Sequence, residues 1–329
     1  MQEYGEEGFI EYLAKQFPCP PPIFGIGDDC GVIPADNESV WLITTDSLVE
    51  GVHFLKEQIS PQNLGYKVIA VNVSDIAAMG GTPKYAFLSI SLPSDIDSDW
   101  LEEFTLGVKE ACSRWNLLLL GGDTVGSKRD LFLSGTVMGV ASKDKVKYRH
   151  QAKVGDVICV TNTLGNSGGG LKLLQSKVAH TEEALALIHS HFHPDPSPEE
   201  GRWLASQKGI HAMMDISDGL SCDLGRLIRA SKCGAIIEIS NLPISDPLSH
   251  ICSKENWDPI NIALTGGEDY SLLCTLSKKS FQQIADHFSE EFDHPLHEIG
   301  QVTSLEGEII YRMKGKVVEM DLQPFDHFR

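Results

Sequence analysis

Six short segments of the 329-residue chain set Asp or Glu beside Gly, Ser or Thr, five of them read at the ends of apolar strands: GIGDD (25–29), TTDSLVEGVHF (44–54), VNVSD (71–75), GGD (121–123) and DISDG (215–219). GGED (266–269) follows the same plan. Carboxylates held near one another repel and raise each other's pKa, so a cluster of this size is costly without a cation. Mg²⁺ suits it, as a hard ion that takes oxygen ligands and bridges carboxylates to substrate phosphates. Taken singly, each motif reads as an ordinary turn, where Asp caps and Gly takes positive φ. Taken together they do not, because turn residues have no reason to recur at strand ends beside Thr, Ser and paired Gly.

Other residues are less specific. The loop TNTLGNSGGGLKL (161–173) lacks the G-x-x-x-x-G-K-[ST] pattern, which disfavours a P-loop nucleotide site. Its glycines suit either an anion at a helix start or close packing of helix on strand. His53, seven residues after Asp46, has the chemistry to touch a substrate or move a proton, although a lone His in a strand-like setting is more often packed. His189, His191 and His193 sit by a proline-rich connector without carboxylates at ligand spacing, so they are not expected to bind metal. Arg149 has the planar fork that suits a polyphosphate, whereas Lys143, Lys145 and Lys147 read as a solvated charge run.

A formal net charge of −19 argues against a binder of nucleic-acid backbones. It does not argue against small phosphates bridged by divalent ions. No apolar run approaches the roughly 18 residues of a membrane span, and MQEYGEEGFIEYLAKQF lacks the basic and apolar regions of a secretory signal. The expected address is cytoplasmic, with no membrane or nucleic-acid partner. Eight cysteines occur singly, without a C-x-x-C pair, and read as reduced thiols.

The elements that must position these residues follow from periodicity and punctuation. A helix is expected over about 5–17, then a proline-rich turn into the GIGDD loop. VWLITTDSLVEGVHF reads as a strand entering a second loop, and 61–81 has apolar residues at helical spacing up to a Gly pair. YAFLSISLP, LLLLGGDTV and LFLSGTVMGVAS read as strands, with a helix over 97–115. The basic run SKDKVKYRHQAKVGD suggests a boundary, and the second half restarts with strand, glycine loop and helix. The expectation is a two-domain α/β (α+β) chain divided as 1–148 and 149–329.

In this order, GIGDDCGVI, TTDSLVEGVHF, VNVSDIAAMGG, GGDTV, DISDGLSCDLGRL and GGEDYSLL resemble the thiamine-monophosphate kinase branch of the aminoimidazole-ribonucleotide synthetase superfamily. The resemblance implies an N-terminal domain that dimerises through its strands, a C-terminal α/β domain, and ATP and several Mg²⁺ ions in the cleft between them. It implies transfer of the ATP γ-phosphoryl group to thiamine monophosphate. Matched residue by residue, it assigns metal contacts to Asp29, Thr44, Thr45, Asp46, Asp75, Asp123, Asp215 and Asp218. It assigns nucleotide contacts to Gly122, Asp123, Arg149 and Ser217, and substrate contacts to His53, Glu268 and an aromatic near the C-terminus, here Phe325. Leu322 stands where relatives often carry Trp.

Phosphoryl transfer needs in-line positioning and charge neutralisation rather than covalent chemistry by the protein. The acceptor is itself a phosphate, so no catalytic nucleophile or base is expected. Two alternatives stand beside this reading. One is another ATP-using synthetase of the superfamily, against which VEGVHF and GGEDY speak. The other is a catalytically silent module that binds divalent metal.

Overall fold

The computed structural model describes residues 5–176, 178 and 181–322. The first half runs α1 (Gly5–Gln16), β1 (Gly31–Pro34), β2 (Ser39–Val49), α2 (Pro61–Ala78), β3 (Thr82–Leu92), α3 (Ser98–Arg114), β4 (Leu118–Gly126) and β5 (Phe132–Ser142). Its five strands form one sheet in the order β1-β2-β5-β3-β4, antiparallel except for the parallel pair β3 and β4.

The second half runs β6 (Val157–Val160), α4 (Asn166–Leu174), α5 (Glu182–Phe192), α6 (Pro198–Ser206), β7 (Ile210–Asp215), α7 (Leu220–Ala230) and β8 (Gly234–Glu238). It continues with α8 (Asp246–Glu255), α9 (Pro259–Thr265), β9 (Leu272–Leu276), α10 (Lys278–Phe292), β10 (His297–Thr303), β11 (Ile309–Met313) and β12 (Lys316–Val317). These strands make a second sheet in the order β12-β11-β8-β10-β6-β9-β7. Short, largely apolar interior strands such as β6 and β9 are buried along their whole length. The architecture is the α/β type expected.

The element on which the site depends is α2. Ser60 caps it by accepting the Asn63 N–H at 3.1 Å, Pro61 occupies its first turn, and the chain turns out through Gly80, whose φ is +75°. From Leu64 to Ala78 nearly every side chain is buried, which is the pattern of a helix covered all round rather than on one face. It packs on β2 and β5 of the first sheet, on α3, and on α6 and β7 of the second half.

Two glycines let α2 and α3 approach this closely. A Cβ on Gly107 would fall 1.8 Å from the Gln62 carbonyl oxygen, and one on Gly65 would fall 2.1 Å from that of Phe104.

Three acidic motifs do not lie at strand ends. Asp75 is in the last turn of α2, while Asp46 and Asp123 lie inside β2 and β4. Single-strand patterns do not reveal where pairing stops, and β2 stays paired with β5 past Asp46, as far as Val49. His189 and His191 belong to the last turn of α5 rather than to the connector.

Gly107→Ala should lower unfolding free energy by about 1–3 kcal/mol, because backbone rather than a flexible side chain must move to admit the methyl group. Denaturant unfolding measures this. An unchanged midpoint would mean that the α2–α3 crossing relaxes freely.

Candidate functional site

Three stretches far apart in sequence meet around α2. Asp29 stands in the turn before β1, Asp75 on α2, and Asp215 at the end of β7, and one carboxylate oxygen of each lies within 4.8 Å of the others. Successive residues of α2 point about 100° apart, so the helix serves both sheets. Asn72 accepts the Asp46 N–H on β2 at 3.0 Å, Ser74 donates to Asp215 Oδ2 at 2.6 Å, and Asp75 accepts the Thr44 hydroxyl. Asn72 and Ser74 are fully buried in an otherwise apolar helix and are satisfied only by these partners and by the Val68 carbonyl.

Burial is the main force on these carboxyls, and mutual repulsion adds to it. Asp28 is pushed up to about 7 and Asp46 to about 6, while Asp75 and Asp215 rise well above the carboxylate range. Asp29 is also raised by burial, against the pull of Arg149. Arg149 is the counter-charge: its guanidinium bonds Asp29, its Nε lies 3.4 Å from Asp28 Oδ1, and its backbone N–H donates to Asp28 Oδ2 at 3.1 Å.

One guanidinium cannot balance so many carboxylates. Asp29 Oδ2, moreover, is buried with no hydrogen-bond partner. A buried acceptor without a donor is expensive, and an all-oxygen donor set of this kind fits Mg²⁺, which Asp29, Asp75 and Asp215 would hold with Asp46 beside them.

A second group, Asp218, Cys222 and Asp223, lies across the turn after β7. Arg226 already occupies it, 2.5 Å from Asp218 and 2.8 Å from Asp223. Asp223 accepts the N–H groups of Ser217 and Asp218, each at 3.0 Å, and so holds the turn that presents Ser217. Asp218, expected among the metal carboxylates, is thus paired with a cation of its own half.

Several expected residues stand apart from the cluster. Side chains alternate along a strand, so Thr45 faces away from Thr44 and donates to the Gly135 carbonyl at 2.9 Å. Gly122 and Asp123 lie on β4, an edge strand exposed along its whole length. The register sets Asp123 opposite Ser89, Ser89 opposite Ser134 and Ser134 opposite Ser47, which is three strand spacings, or about 14 Å, from β2. Gly122 is needed for packing, since a Cβ there would lie 1.7 Å from the Leu88 oxygen.

His53 lies in the turn after β2, where its Nδ1 accepts the Val49 N–H at 3.1 Å. Phe325 lies outside the described residues. Glu268 pairs with Lys67 at 2.8 Å. Burial alone would raise its carboxyl, but Lys67 and His191 outweigh that and hold it down at about 2.

The glycine loop resolves towards packing. Asp269 takes the N–H groups at the start of α4, from Gly165 at 2.6 Å and Ser167 at 3.4 Å. A Cβ on Gly170 would meet the Leu187 oxygen at 2.2 Å. Asp28, Asn72, Ser74, Asp223 and Lys67 were not singled out by sequence. Asp28 adjoins Asp29, and a polar N-x-S-D run inside an apolar helix was a readable signal for Asn72 and Ser74.

Two family models match the chain, AIR synthase related protein, N-terminal domain, over residues 27–141, and its C-terminal domain over 153–312. A thiamine-monophosphate kinase of Escherichia coli (strain K12) is 38% identical, over 92% of this chain and 91% of that protein. One from Aquifex aeolicus is 37% identical over 97% of both. The solved structure of AaThiL complexed with AMPPCP and TMP superposes with a TM-score of 0.87 at 35% identity, covering 100% of this chain and 98% of that one.

A carboxyl whose folded pKa exceeds its unfolded value of about 3.9 favours the protonated fold, so its penalty is absent at low pH and grows as pH rises. Metal-free protein should therefore lose stability between about pH 4 and the values near 6 and 7 of Asp46 and Asp28. Mg²⁺ should restore more melting temperature at pH 8 than at pH 5. Without metal at pH 8, Asp46→Asn should melt about 2–8 °C above wild type, with the gap closing towards pH 4. A variant that is less stable than wild type at pH 8 would remove crowding as the feature that governs this site.

Proposed function

The chain belongs to the thiamine-monophosphate kinase family of AIR synthase related proteins, and from that premise we propose how it transfers the γ-phosphoryl group of ATP to thiamine monophosphate, giving thiamine diphosphate and ADP. The observation that carries the reading is the buried triad Asp29, Asp75 and Asp215 with an orphaned carboxylate oxygen and Arg149 beside it. That arrangement has excess negative charge awaiting cations and one fixed guanidinium for a phosphate.

Mg²⁺ ions held there would neutralise negative charge as it shifts from the attacking to the leaving oxygen. The chain's own contribution is placement. Asp29, Asp46, Asp75 and Asp215 would hold the cations, with Thr44 and Ser74 orienting Asp75 and Asp215. Arg149 and Ser217 flank the nucleotide, and His53 and Glu268 hold the thiamine phosphate. The acceptor oxygen belongs to a phosphate already ionised at neutral pH, so transfer proceeds in line with no protein base and no phosphoenzyme. Asp218 would join the metal set were a polyphosphate to draw off Arg226, which now pairs with it.

The same reading makes the protein a cytoplasmic homodimer joined through β4, with residues 1–148 as the nucleotide, metal and dimer domain and 149–329 as the C-terminal domain. Its support is the exposed face of β4, where Leu118 and Leu120 are 61% and 55% exposed. A long apolar edge strand of this kind is a template for pairing unless it is covered. Pairing through β4 also brings Gly122 and Asp123 into use, which a single chain holds apart from the cluster. No helix among the described residues is long and apolar enough to cross a membrane.

Purified protein with Mg·ATP should release ADP when offered thiamine monophosphate, and not with thiamine or aminoimidazole ribonucleotide precursors, with thiamine diphosphate identified by mass. Asp46→Asn should lower this turnover by about 10²-fold or more. Turnover on a different acceptor, or a phosphorylated aspartate trapped during turnover, would overturn the reading. Leu120→Glu should convert a dimer to monomer in sedimentation velocity; a wild-type monomer would remove β4 as the interface.

A further inference from the structure

Lys67 is the only lysine or arginine that is buried among the described residues, at 1% exposed, and its partners come from the other half of the molecule. From the middle of α2 its Nζ donates to Glu268 Oε2 at 2.8 Å and to the His191 carbonyl at 3.0 Å. His191 Nδ1 lies 3.0 Å from the same Glu268 oxygen and 3.0 Å from the Ser167 hydroxyl. Both nitrogens converge on Oε2, which leaves Oε1 free of them. The carboxylate lines a cavity of about 440 Å³ shared by Tyr66, Arg114, Asn162, His193 and Asp269.

The backbone under Glu268 is held as firmly as its side chain. Glu268 and Tyr270 have φ of +65° and +49°, left-handed values that non-glycine residues adopt only where their surroundings impose them. The imposing contacts are the Glu268 N–H to the Ser217 carbonyl at 2.7 Å and the Tyr270 N–H to that of Ile216 at 2.8 Å. A Cβ on Gly267, just before Glu268, would lie 2.7 Å from the Ser217 oxygen. The loop is thus locked to the turn that carries Ser217 and Asp218.

Apolar residues fill a core as stably as a buried ion pair does, and often more so. A strained carboxylate held from across the molecule by a desolvated ammonium is therefore not explained by stability. We propose that Lys67 is a positioning residue for the acceptor substrate: it fixes Glu268 as a carboxylate with one oxygen tied back and the other presented to a cationic or amino-bearing heteroaromatic ring. The ring wall beside it suits such a ring, because His193 stands stacked on the buried Tyr66 with centroids 3.5 Å apart and His189 follows at 5.0 Å from His193. The proposal rests on the reading of Glu268 as a contact to thiamine monophosphate.

The test compares Lys67→Gln, Glu268→Gln and the double variant Lys67→Met with Glu268→Gln in steady-state kinetics with both substrates varied, beside melting temperature. Lys67→Gln keeps a donor at the site, and the double variant leaves neither charge buried alone, so at least one folded protein is available. Lys67→Gln should raise KM for thiamine monophosphate about tenfold or more while KM for ATP and kcat change little, and the double variant should be no worse than Glu268→Gln alone. A lower melting temperature with both KM values unchanged would overturn the proposal and leave Lys67 as a tether between the halves. A raised KM in Glu268→Gln with none in Lys67→Gln would overturn it while keeping the Glu268 contact. An unchanged KM in Glu268→Gln would remove the contact itself, and the role of Lys67 with it.

Discussion

Repulsion among buried carboxylates is the constraint around which the molecule is arranged. Asp29, Asp75 and Asp215 each bring a carboxylate oxygen within 4.8 Å of the others, and Asp46 adds to the field that raises Asp75. A fold does not gather such groups cheaply, because burial already disfavours the charged form before their mutual repulsion is counted. Tertiary packing must hold them there, and α2 supplies it. The helix is covered on all sides, so its few polar residues have no solvent to satisfy them and must take fixed partners. Asn72 is bound to β2 and Ser74 to Asp215 at the end of β7, which ties the two sheets to one helix at the point where the charges meet.

Missing side chains matter to this arrangement as much as those present. A Cβ on Gly135 would stand 2.6 Å from the Asn72 amide nitrogen, so the glycine of β5 is the space in which Asn72 turns to hold Asp46. Gly65 and Gly107 bring α3 close enough to complete the cover of α2. These glycines therefore serve close approach rather than turn geometry, which explains why they stand inside regular elements.

Charge is balanced unevenly across the site. Arg149 serves Asp28 and Asp29, Arg226 serves Asp218 and Asp223, and Lys67 serves Glu268. Asp75 and Asp215 receive only hydroxyl donors. The least compensated carboxylates are thus Asp75 and Asp215, while those paired with a cationic side chain are held in fixed orientations around them.

The oxygen-bearing residues gathered beside Gly, Ser and Thr were legible in the sequence by themselves, because a residue's type is plain whatever its final placement. The α/β class, the helix over most of 61–81 and the dense motifs that carry the family resemblance were legible as well: each depends on neighbours along the chain. Tertiary structure alone decided which donors meet. Thr44 and Thr45 are adjacent in sequence, yet the alternation of β2 sends only Thr44 to Asp75. Asp123 carries a motif as plain as the others, but β4 pairs at the far edge of its sheet. Asp269 closes the start of α4 from more than a hundred residues away, and Lys67 reaches Glu268 across two hundred. Strand order, register and the pairing of distant charges arise from contacts between residues remote in sequence, and a local pattern holds no record of them.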